Sequence, residues 1–182
     1  MRGFVVVSGV PASGKTTVAA VLAKRLALPN FDKDAFLEAL FLIEGVGTLD
    51  WRRELSRRAD AQFQAQASSQ GAAVLSSWWK HPASEADSGT PIGWLGASQI
   101  VAAEVYCKCS PSIAAERFLQ RKRHPGHLDG RWPRESLVAM LEQQARLGPL
   151  FPTKAIVINT EHEVDFQDVV CRIKGCSSVG DA

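Results

Sequence analysis

Gly9, Gly14, Lys15 and Thr16 carry the spacing G-x-x-x-x-G-K-[ST] within the octapeptide GVPASGKT. Glycines at those two places let the main chain curl so that successive N–H groups turn toward one anion. A helix starting at the second glycine adds unsatisfied N-terminal donors and a partial positive charge. The candidate phosphate contacts are therefore Gly9, Ala12, Ser13, Gly14, Lys15, Thr16 and Thr17. In such a loop the lysine reaches the β- and γ-phosphates of a nucleotide and the Thr16 hydroxyl ligates Mg²⁺. With glycine at about 7% of residues, a chance match in a chain of this length is on the order of one in a hundred.

The cradle works only if a strand delivers the chain to it and a helix leads away. FVVVS at 4–8 is that strand. TTVAAVLAKRLA is that helix, with Val18, Val21, Leu22 and Leu26 along one face and Pro29 as its stop. Further bursts of strand length are PNF (29–31), AAVLSS (72–77), VAAEVYCKC (101–109) and AIVINT (155–160). Helical patterns lie between them, at 34–44, at 51–66, from the Ser-Pro start SPSIAAERFLQRK, in RESLVAMLEQQARL and near 163–174. Strand alternating with helix predicts an α/β fold, one domain over residues 1–182, with a five-stranded parallel sheet covered on both faces. Residues 81–93 and 124–133 read as long loops.

Bulk composition narrows the class. The 182 residues are 46% hydrophobic and 22% charged, which excludes a disordered chain. No apolar run approaches the ~20 residues of a membrane-spanning helix. The N-terminal apolar run flows straight into the glycine loop and so reads as a buried strand, not a signal peptide, and a cytoplasmic protein is expected. The cysteines Cys107, Cys109, Cys171 and Cys176 lack zinc spacing and read as small buried hydrophobes. A net charge of +2 gives no reason to invoke nucleic acid. Positive charge is nevertheless concentrated at 117–134, where Arg117, Arg121, Lys122, Arg123, Arg131 and Arg134 face Asp129 alone.

The glycine loop, the acidic FDKDAF with Asp32 and Asp34 after the first helix, and the later basic cluster occur in an order that resembles the small P-loop kinases. The similarity is to the group containing chloramphenicol phosphotransferase, polynucleotide five-prime kinases and gluconate kinase. It implies ATP and Mg²⁺ as cofactors and a small-molecule hydroxyl as acceptor, with a nucleic-acid five-prime hydroxyl as the alternative. It also implies a lid over 117–134 that brings Arg117, Arg121 and Arg123 to the phosphates, Arg121 acting in catalysis beside Lys15. The turn Thr160 to Glu163 would hold the adenine. Asp34 is the candidate base, placed at the C-terminal edge of a short strand expected beside the first one. Two alternatives stay open: Asp34 as a helix N-cap only, or Asp32 in the catalytic role.

One departure from the pattern matters. Many P-loop ATPases end an apolar strand in an acid that holds Mg²⁺ through water, whereas AAVLSSWW offers Ser76 and Ser77. That leaves the metal to Thr16, water and Asp34, and keeps open an ATP-binding regulator or slow NTPase. Trp78 and Trp79 read either as core or as a stacking surface for the acceptor, with Lys80 and His81 following. Arg53 and Arg57 read either as acceptor contacts or as an exposed helix face.

Overall fold

A computed structural model describes residues 2–96 and 100–175, so Cys176 lies outside the described residues. All five strands are parallel: β1 (Gly3–Ser8), β2 (Asn30–Asp32), β3 (Ala72–Ser76), β4 (Val101–Lys108) and β5 (Ala155–Asn159), in the order β2-β3-β1-β4-β5. The helices are α1 (Lys15–Leu26), α2 (Lys33–Glu44), α3 (Leu49–Ser68), the single turn α4 (Gly93–Gly96), α5 (Pro111–Gln120), α6 (Arg134–Ala145) and α7 (Phe166–Lys174). Among the described residues no helix is long and apolar enough to cross a membrane.

FVVV is apolar at every position because β1 is the central strand, covered on both faces. Val5 and Val7 pack with α1 and α7 through Leu22, Val169 and Ile173. Phe4 and Val6 point the other way, onto Phe63 and Ala67 of α3. The period of two along the strand thus sorts one run into two cores.

The short acidic strand is not beside the first one. β3 intervenes, pairing with β1 from Gly3↔Ala72 to Val7↔Ser76 and with β2 only from Asn30↔Val74 to Asp32↔Ser76. A three-residue strand supports few ladder bonds and occupies the edge, while the longer β3 and β4 take both sides of β1. Helix ends also differ in detail. Ala27, in the left-handed region at φ 53°, closes α1 before Pro29 is reached. Asp32, not Asp34, caps α2, its carboxylate accepting the Asp34 N–H at 3.1 Å.

Glu104 on β4 is fully buried, a charge in the middle of a sheet. Its carboxylate accepts the N–H groups of Leu150 (2.9 Å) and Phe151 (2.6 Å) and the Ser8 hydroxyl, so it ties the segment after α6 to the end of β1. Removing it strands the buried Ser8 hydroxyl and two part-buried N–H groups. Glu104→Ala should therefore lower the unfolding free energy by roughly 2–4 kcal/mol in a urea titration at pH 7; an unchanged midpoint would mean that another contact holds the segment.

Candidate active site

The glycine loop leaves β1 and enters α1 in a shape that only small residues permit. Gly9 sits at φ 131°, and a Cβ there would lie 2.5 Å from the Cys107 carbonyl oxygen and 2.8 Å from Ser13 Oγ. Gly14 caps α1 at φ 88° with no side chain bonded to the helix start, so the first N–H groups face outward. Thr160 Oγ1 donates to the Ser13 carbonyl at 2.7 Å, bracing the loop from the end of β5. Lys15 Nζ folds back onto the Val10 carbonyl at 2.7 Å. Loss of solvent lowers its pKa to about 8, against the pull of Cys107, Asp34 and Asp32. A phosphate tail would supply the counter-charge this ammonium lacks. The residues present fit a nucleotide triphosphate.

The carboxylates divide the work. Asp32 caps α2 with one oxygen, and the other accepts the Thr16 hydroxyl at 2.8 Å. Across the β2–β3 register lies Ser76, whose buried Oγ has no hydrogen-bond partner among the described residues. Burial and the neighbouring Asp34 raise the Asp32 pKa, opposed by the Thr16 bond; a cation would relieve that strain. Thr16 with Asp32 behind it is an all-oxygen set suited to a hard divalent ion such as Mg²⁺. The acid missing from β3 has a counterpart one strand over.

Asp34, in the first turn of α2, pairs with Arg123. Burial would raise its pKa, but Arg123, His127, Lys33 and Lys15 outweigh that and hold it below the usual carboxylate range. Lys15, Thr16, Asp32 and Asp34 line one cavity of about 760 Å³ together with Arg52, Arg117, Arg121, Arg123 and His127. That volume lies within the range for substrate pockets.

Arg117 lies on α5 and donates to the Thr160 carbonyl at 3.0 Å. The helix ends at Gln120, so Arg121 lies just beyond it, its guanidinium 4.1 Å above the Phe118 ring. Arg121 (3.0 Å) and Arg123 (3.2 Å) share the Asp129 carboxylate. The segment between α5 and α6 forms two short 3-10 turns, Pro125–His127 and Asp129–Arg131. It docks on α2 through Phe41, which stacks on His124, meets His127 edge-on and lies so close to Gly126 that a Cβ there would be 2.6 Å from the ring. Arg134 is exposed and pairs with Glu116 at 3.6 Å, while the Arg131 side chain lies outside the described residues.

The open alternatives resolve residue by residue. Trp79 is core, its indole N–H donating to the Val7 carbonyl at 2.9 Å, whereas Trp78 lines the cavity. Arg53 and Arg57 are exposed and paired with Asp50 and Glu54, so neither faces the cavity. Arg52 does, and the sequence held a signal for it: spacings of three and four residues place it on the stripe of Leu55, Ala59 and Phe63. His127 carried no such signal, because its partner Glu38, at 2.8 Å, is 89 residues away.

Residues 4–147 match the family model of an AAA domain. The chain belongs to that family. No curated protein matches it. Solved structures do, among them a candidate kinase of Chloroflexus aurantiacus at 25% identity and TM-score 0.77, covering 97% of this chain and 99% of that one. A gluconokinase of Sinorhizobium meliloti matches at 20% identity and TM-score 0.56, over 94% and 89% of the two chains. A shikimate kinase from Acinetobacter baumannii in complex with shikimate matches at 18% identity and TM-score 0.56, over 96% and 92%. The fold is that of the small P-loop kinases.

His127 gives the docking of the segment between α5 and α6 onto α2 a dependence on pH. Burial and Arg123 hold its pKa below the usual histidine value, against Asp34, Glu38 and Asp129. Between that lowered value and the unfolded value of about 6.5 the unfolded chain binds more protons, so stability falls as pH drops through that window. Calorimetric scans from pH 7.5 to 5.5 should show a falling unfolding temperature, and His127→Gln should lose less over the same interval. Parallel slopes would remove His127 as the cause.

Proposed function

We propose that the protein transfers the γ-phosphoryl group of ATP to a hydroxyl of a small-molecule acceptor. The supporting observation is that one cavity is lined both by the phosphate loop and by an ionised carboxylate, Asp34, with three lid-side arginines over the space between. In the reaction the acceptor's hydroxyl oxygen forms a bond to the γ-phosphorus. The bond from that phosphorus to the bridging oxygen breaks, its electron pair leaving on ADP, and the hydroxyl proton passes to Asp34. Lys15, Arg121 and Arg123 hold the charge that spreads over the transferring group, and Arg117 sits where the nucleotide side of the lid meets Thr160. Magnesium, held by Thr16 with Asp32 behind it, would neutralise charge on the β- and γ-phosphates. Arg53 and Arg57, spent on their own helix, supply no basic track for a polynucleotide.

A screen of hydroxyl compounds for accelerated ADP release tests the proposal. At least one should raise turnover manyfold. Asp34→Asn should cut that acceptor-dependent rate by about 10²–10⁴-fold while nucleotide still binds. Lys15→Ala should instead weaken the binding of magnesium–ATP itself. Tight ATP binding that no acceptor accelerates would favour the nucleotide-dependent regulator.

A further inference from the structure

Helix α2 binds all of its own charges within the chain and shows solvent an apolar face. Lys33 pairs with Asp60, Asp34 with Arg123, Glu38 with His127 and Glu44 with Arg58. Leu37, Leu40 and Phe41 turn inward with Leu55 and Ala59 of α3. The opposite side is a stripe of Ala35, Ala39, Leu42 and Ile43, which lie four, seven and eight residues from the first, and each is exposed. Leu42 and Ile43 are 78% and 80% exposed, and Val46 (53%) and Leu49 (44%) follow just past the helix end. No charged residue lies on the stripe. Surface helices keep polar side chains on their solvent face, and a helix that is apolar all round is a covered one.

Two features say what covers it. The first is charge. A lipid surface is gripped by lysines and arginines that surround such a face. The exposed arginines of α3 are instead matched one for one: Arg53 with Asp50, Arg57 with Glu54 and Arg58 with Glu44. A balanced rim neither draws the face to an anionic membrane nor repels a second copy of itself. The second feature is shape. The stripe tapers, with alanine in its first half and leucine and isoleucine in its second. Laid antiparallel on its own copy, the small half of each helix meets the large half of the other. Ala39 then falls on the two-fold axis, where a small side chain lets the helices approach. A parallel pair would set large on large and hold the alanines apart.

The size fits as well. Four large apolar side chains exposed to this degree make a patch of a few hundred Å², which marks an interaction site. The two alanines and the wholly exposed run 42–50 bring it to the scale of the roughly 800 Å² that each partner of a stable pair buries. We propose that the protein pairs with a second copy of itself through antiparallel contact of the α2 stripes, Ala39 on the partner's Ala39 and Ala35 against the partner's Ile43. The pairing does not depend on the reaction proposed above.

Sedimentation velocity on the full chain, from low to high micromolar concentration, should show a species of twice the monomer mass. Ile43→Arg places a charge in the contact twice by symmetry and should raise the dissociation constant at least about a hundredfold. The position is exposed in the single copy, so the variant's far-ultraviolet circular dichroism should match that of the parent. Leu49 also lines the cavity and is left unchanged. Cross-linking in a Cys171→Ser, Cys176→Ser background reads the orientation. Ala39→Cys should form a disulfide-linked pair under mild oxidation. Mixed Ala35→Cys and Ile43→Cys chains should link to each other in preference to their own kind. A chain that stays monomeric into the high micromolar range overturns the idea, and one that pellets as a monomer with anionic phospholipid vesicles assigns the face to a membrane instead. Pairing that Ile43→Arg leaves undiminished, or cysteines that link like with like at 35 and 43, would overturn it equally.

Discussion

The curl of main chain between β1 and α1 is the constraint on which the molecule depends. It holds its shape because it is wedged: Gly9 against the β4 backbone at Cys107, the Ser13 carbonyl under the Thr160 hydroxyl, the Lys15 ammonium on the Val10 carbonyl. Two of these wedges come from other strands, β4 and the end of β5, so the loop is correct only when β1, β4 and β5 are in register. Apolar burial of β1 on both faces fixes that register, since a slip by one residue would exchange its two cores. A short loop that would be mobile alone thereby becomes a rigid set of donors.

Around it, the charged side chains between α5 and α6 are paired with one another and with α2. Asp129 bridges Arg121 and Arg123, and Arg123 continues to Asp34 on α2. These pairs cross from the lid segment to the body of the fold, reinforced by the stack of His124 on Phe41. The segment between α5 and α6 is therefore anchored at two points of different character, one apolar and one ionic.

Much of this was legible in the chain. The fixed residues of the glycine loop have a mechanical reason at each position, and the strand–helix alternation leaves few topologies for a parallel sheet. What escaped depended on contacts between distant segments. The expected neighbour of β1, the short acidic strand β2, lies instead at the edge beyond β3. Glu104 reads as one polar residue in a strand, and nothing local announces that the N–H groups of Leu150 and Phe151 await it. In α3 four arginines compete for attention, and only the phase set by Leu55, Ala59 and Phe63 tells which one faces inward.

The absence of an acid at the end of β3 has a geometric answer. Neighbouring parallel strands lie about 4.8 Å apart, so carboxylates at the ends of either can reach the same point before the phosphate loop. Asp32, level with Ser76, meets the Thr16 hydroxyl from β2. Moving the carboxylate there has a cost and a return. It now serves two masters, since its other oxygen caps α2 by accepting the Asp34 N–H. In the proposed reaction the group behind the metal would then also set the first turn of the helix that carries the base. The two oxygens of that one carboxylate thus join the start of α1 at Thr16 to the start of α2 at Asp34.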